Sequence, residues 1–217
     1  MSSISPPPDR VATGSRRPRY LVVALIAALV FGAGCWTEGC SRLAFFRGEP
    51  DRHAEITDAI HDDADRARAE ALFQRFIDVS DSSRGRAVPL AAATFVLGAA
   101  LLALAARGLA GRSNTRSLLM QIVSAQAVLV VVSYLVTRPM FEAQDDWLYE
   151  SQLIQKREAM PPEQYAQVAP TLRAMRPWVS PGWLAVRTLA SALIVLALSR
   201  PRSREFFEAA ARPISDR

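Results

Sequence analysis

Few side chains in this 217-residue chain are of the kind that carries chemistry. Cys35 and Cys40 are its only cysteines, His53 and His61 its only histidines, and Lys156 its only lysine among 26 basic residues. The excess of arginine over lysine, with abundant alanine, points to a GC-rich bacterial genome; it is a trait of composition, not of mechanism. Net charge is +5, yet no basic helix with interleaved aromatics is present, so nucleic acid is not an expected partner. No catalytic signature stands out. What the chain lacks most visibly is charge over long stretches.

Residues 118–136 (LLMQIVSAQAVLVVVSYLV) run for nineteen positions without a charge, a glycine or a proline. A helix of that length reaches about 28 Å, close to the ~30 Å hydrocarbon thickness of a bilayer. Residues 20–36, 87–106 and 181–199 are similarly apolar, with Arg187 their one charge. Apolar blocks alternate with connectors dense in Arg, Asp and Glu, whereas a globular domain mixes the two at helical or strand period. The fold class expected is all-α: a polytopic membrane protein of four transmembrane helices, with a helical extracytoplasmic cap formed by two long loops.

Residues 1–19, with Pro6, Pro7, Pro8 and the cluster Arg16, Arg17, Arg19, read as a disordered basic tail. Span one, 20–36, also has the outline of a secretory signal, but three later spans to fold against favour a retained helix. Its Ala24, Ala28 and Gly32 repeat small residues every fourth position, which makes a packing face. The loop 37–86 carries an expected helix over 51–79, with Ile56, Ile60, Phe73 and Phe76 on its apolar stripe, then a flexible return over 80–86 (SDSSRGR). Span two, 87–106, is rich in alanine; the loop 107–117 is short and basic, so spans two and three should be antiparallel neighbours. After span three, Arg138-Pro139 should break the helix. The loop 137–180 reads as a helix over 140–160, with Phe141, Trp147, Leu148 and Ile154 as core candidates, then as shorter pieces punctuated by proline. Ser180-Pro181 would cap and start span four, 181–199. In the tail 200–217, residues 203–212 fit a short amphipathic helix with Phe206 and Phe207 inward.

Charge sets the orientation. The two tails and the 107–117 loop hold twelve arginines against four acids, whereas the two long loops hold thirteen basic residues against seventeen acids. The positive-inside rule then places both termini in the cytoplasm and the long loops outside, in the inner membrane of a bacterium.

Arg187 is the only charge within an expected span, one turn from Trp183. Its long stem can snorkel to headgroups or loop carboxylates. With Ser133 at similar depth, it could instead hold an anionic ligand or a lipid headgroup. Gln126, near mid-membrane, needs a partner on another helix and reads as interhelical glue. Cys35 and Cys40 follow span one and could close a small disulfide in an oxidising compartment, or stand as two free thiols. Asp58, His61 and Asp65 could share a helix face as ligands to a divalent metal, although a solvated acidic face explains them without one.

In outline the chain resembles bacterial quinone-linked thiol oxidases: four spans, termini inside and a cysteine pair just after span one. It departs from them in lacking the Cys-x-x-Cys spacing and any cysteine in the second outer loop to relay electrons. The function expected is a structural or accessory membrane subunit, not an enzyme. It would sit in the lipid bilayer and use its extracytoplasmic loops to bind another membrane protein or a second copy of itself. The alternative is an extracytoplasmic ligand or lipid sensor. A transporter or thiol-redox enzyme is the weaker reading, because a substrate path should place several ionisable or helix-breaking residues inside the spans. No cofactor is expected.

Overall fold

Nothing between residues 19 and 47 stops a helix. There is no proline, and of the three charges past Trp36 two lie one turn apart and pair, Arg42 Nη2 to Glu38 Oε1 at 2.8 Å, while Arg47 falls in the last turn. In the computed structural model, which describes residues 18–48, 60–111 and 115–211, α1 (Arg19–Arg47) therefore runs well beyond the expected end of span one. Gly48 stops it with φ +76°, its N–H reaching the carbonyls of Ala44 and Phe45.

The Asp62 carboxylate accepts the Asp65 N–H and caps α2 (Asp63–Leu109), 47 residues without interruption. Of the helix expected over 51–79, residues 51–59 lie outside the described residues; 60–62 precede α2, and there is no return loop over 80–86. Local propensity lost to packing there. Ser80 and Ser83 are buried, the Ser82 hydroxyl donates to the Val79 carbonyl, and Arg84 Nη2 donates to the Phe46 carbonyl at 2.9 Å.

A short link leads to α3 (Thr115–Val136), which ends at Thr137, one residue before the expected Arg138-Pro139 break. Then α4 (Arg138–Ala159) carries buried Met140, Trp147 and Ile154, with Phe141 and Leu148 half-buried. The proline-punctuated pieces expected after it are one helix, α5 (Pro162–Ser199), which absorbs Pro170, Pro177 and Pro181. Ser180 caps nothing, because its hydroxyl is turned to the Asp145 carboxylate on α4. Each proline removes one backbone donor, and the pairing of Arg176 with Asp146 holds α5 against α4 through that stretch. Arg200 is extended, and α6 (Pro201–Ala211) follows with Phe207 buried and Phe206 half-buried, as the pattern expected.

Among the described residues the chain is all-helical, and α1, α2, α3 and α5 are long and apolar enough to cross a membrane. One apolar cluster joins Leu21, Leu25, Leu101, Leu119, Leu198 and Phe207. A second lies toward the other end, where Phe46, Phe76, Met140 and Trp147 pack, with Phe76 and Trp147 stacked at 6.0 Å. Ala24, Ala28 and Gly32 are buried, and the α1–α2 seam they belong to is closed by glycine. A Cβ on Gly39 would lie 2.6 Å from the Phe95 nitrogen, and one on Gly98 would lie 2.5 Å from the Trp36 nitrogen. Backbone meets backbone there, so no side chain fits.

Candidate functional site

Across the expected end of span one, α1 carries Phe31, Cys35, Glu38 and Arg42 along one face, at spacings of four, three and four. Arg187 of α5 reaches in against that face. Its Nη1 donates to Glu38 Oε2 at 2.7 Å, its Nη2 lies 3.1 Å from the Cys35 sulfur, and its guanidinium carbon sits 5.6 Å from the Phe31 ring centre. The side chain is only 11% exposed, so it faces the bundle and does not snorkel to lipid. Arg42 stacks over Phe141 of α4 at 4.6 Å while pairing with the same Glu38.

These groups bound a cavity of about 150 Å³ to which five helices contribute. Its ionised lining is Glu38, Arg42 and Arg187, two guanidiniums sharing one carboxylate. The remainder includes Val130, Tyr134, Phe141, Trp183 and Leu184, an apolar wall around a site with one positive charge in excess. Hydroxyls differ in what they have left to offer. Thr94 donates to the Leu90 carbonyl and Ser180 to Asp145. Ser133 lines the same cavity at 7% exposure, and its hydroxyl has no hydrogen-bond partner. A buried hydroxyl left in that state costs on the order of 1–3 kcal/mol, which a ligand that bonds it would recover.

No family model, curated protein or solved structure matches this chain.

The geometry therefore carries the reading. It brings the two ligand candidates, Arg187 and Ser133, to one cavity. It separates the two cysteines: both are free thiols on α1, Cys35 buried and Cys40 exposed. Five residues along a helix turn the side chain by about 140°, so the two sulfurs point to different faces and close no disulfide while the helix stands. Gln126 is fully buried, and its neighbour across the helix interface is the Cys35 thiol of α1.

Of the metal candidates, Asp58 lies outside the described residues. His61 Nδ1 sits 3.1 Å from Glu158 of α4, and Asp65 pairs with Arg157. Among the described residues no group of three ligating side chains could hold a metal ion. The Glu158 carboxyl is held below the usual carboxylate range, first by the hydrogen bond with the His61 ring and further by the N–H groups of Asp62 and His61.

Glu38 and Arg42 escaped the sequence reading because span one was ended at Trp36. The signal was there: Cys35, Glu38 and Arg42 recur at three and four, and Glu38 precedes Arg42 by one turn, the favoured order for a helical ion pair.

Proposed function

We propose that this protein binds a monoanionic ligand between Arg42 and Arg187, as an extracytoplasmic ligand-binding protein of the bacterial inner membrane. One observation carries the reading: a half-enclosed cavity whose lining holds two arginines, one glutamate and a buried hydroxyl with nothing to bond. An anion supplies the charge that Glu38 alone does not, and it accepts the Ser133 hydrogen. In a site walled by Phe141, Trp183 and Leu184 such contacts are stronger than in water. The arginine excess in the tails and the 107–117 loop supports cytoplasmic termini, which puts this cavity near the outer leaflet. The Phe46, Phe76 and Trp147 cluster, with Arg68–Glu150 and Arg75–Asp146 beside it, supports a helical cap above.

Octanoate and octanol, which share a chain and differ in charge, test the proposal on the protein purified in detergent. Octanoate is expected to raise the melting temperature and octanol to leave it unchanged. Arg187→Gln, which leaves Glu38 its pair with Arg42, is expected to abolish the octanoate response. Equal responses to both probes, or an unaltered octanoate response in Arg187→Gln, would overturn the proposal.

A second reading, an accessory subunit, has its own support. Met175, Trp178 and Val179 are more than half exposed on one face of α5, before the expected start of span four. A partner helix seated there would be captured by a photo-crosslinker at position 178; its absence in native membranes would leave ligand binding as the sole function.

A further inference from the structure

The cavity opens into a groove. Leu184 lines both the cavity and a trough between α3 and α5 bounded by Val131, Ala185 and Thr188. Thr188 and Ala192 continue that trough into a second stretch bounded by Ser124, Ala127, Ser191 and Ser199. From Leu184 to Ser199 the path is about 22 Å at the helical rise. The groove exists where small residues interrupt larger apolar ones, and three of its four hydroxyls are already spent on their own helix. Thr188 donates to the Leu184 carbonyl at 2.8 Å, Ser191 to Arg187 at 2.9 Å and Ser199 to Val195 at 2.8 Å. The trough thus offers hydrocarbon to hydrocarbon, while the uncommitted Ser133 hydroxyl sits at its charged end.

We infer that the ligand is a long-chain carboxylate, its acid group between Arg42, Arg187 and Ser133 and its chain laid along the groove between α3 and α5. This rests on the anion-binding reading above and names its ligand class. Charge selects a monoanion, since one positive charge is in excess; a phosphomonoester, at about −1.5 to −2, would overshoot it. Volume selects a small head: about 150 Å³ is the space of roughly five waters, ample for a carboxylate and tight for a glycerophospholipid headgroup. Length agrees as well. An extended chain advances about 1.2 Å per bond, as a stretched backbone does over its three bonds per residue, so about 22 Å takes up roughly eighteen carbons. Binding is non-covalent: the carboxylate joins Glu38 in sharing the two guanidiniums and accepts the Ser133 hydrogen.

The test compares oleate, octanoate and an oleoyl lysophosphatidylglycerol on the full-length protein in detergent, by native mass spectrometry and thermal shift. Ala192→Phe fills the groove at an exposed position, and Thr188→Phe does so on the same wall should the first variant fold poorly. Oleate is expected to lose at least about tenfold in affinity in either variant, the worth of about two buried methylenes. Octanoate, whose chain reaches about 8 Å and stops short of Ala192, is expected to bind Ala192→Phe as it binds the unsubstituted protein. If oleate binds these variants undiminished, the groove assignment is overturned while the anion site stands. If the lysophosphatidylglycerol binds as tightly as oleate, the carboxylate assignment is overturned. If octanoate fails with the unsubstituted protein, the anion reading itself has failed.

Discussion

The seam between α1 and α2 and the seam between α3 and α5 are built from the same kind of residue to opposite ends. In the first, Gly32, Gly39 and Gly98 face backbone so closely that an added Cβ would lie 2.5–2.9 Å from a main-chain nitrogen of the opposing helix. In the second, Ser124, Ala127, Thr188 and Ala192 line an open trough. Small residues therefore do not by themselves bring helices together. A glycine opposite a glycine-bearing backbone draws two helices into backbone contact, where lipid offers no hydrophobic drive. Alanine and serine, kept apart by Leu184, Val195 and Leu196 at the groove's edges, leave a channel that another molecule can fill.

The strongest break in this contrast is Gly98→Leu. With backbone on the far side unable to retreat, the seam should lose more than about 3 kcal/mol, seen as loss of the cooperative melting transition in detergent. Glu38→Gln comes next. It leaves two guanidiniums facing each other without a carboxylate and should cost about 2 kcal/mol, less than in a fully buried pair because Glu38 keeps partial access to solvent. The same change should tighten octanoate binding, since the internal competitor is gone; a calorimetric titration reads both effects. On the open seam, Ala192→Phe should alter the melting transition by no more than about 0.5 kcal/mol, in keeping with an exposed position. Equal damage from Gly98→Leu and Ala192→Phe would erase the distinction.

The smallest effect lies away from both seams, where Glu158 of α4 holds the first turn of α2. Its carboxyl titrates below the usual range, so its contribution is present above that range and is lost as pH falls through the lowered one. Hydrogen exchange at the His61 and Asp62 amides should speed up on acidification, and Glu158→Gln should show the faster exchange at neutral pH with an unchanged melting transition.

What the sequence displays openly is what depends on local composition. Three spans follow from charge-free length and the fourth from an apolar run broken only by Arg187, and the small-residue face of α1 follows from Ala24, Ala28 and Gly32. Arg187 stood out because a charge inside an apolar helix is rare, and Ser133 because it lies at a similar depth. The segments misread are those where distant contacts overruled a local signal. Residues 80–86 look like a loop until Arg84 finds the Phe46 carbonyl, and Ser180-Pro181 looks like a helix start until Asp145 takes the serine hydroxyl. Glu38 belonged to the site only once α1 was known to continue, and the groove needs two helices far apart in the chain to be side by side.

The unbroken course of α2 has one more consequence. At about 70 Å it is more than twice as long as the hydrocarbon is thick, so much of it stands beyond the bilayer as a rigid lever. Pro89 is its only residue without a backbone N–H and marks the natural fulcrum, five residues before Thr94 in the cavity wall. From Pro89 to Asp63 is about 39 Å, so a tilt of about five degrees would sweep the far tip by roughly 3 Å, which makes the Asp63 end a pointer to how the membrane-embedded half is leaning.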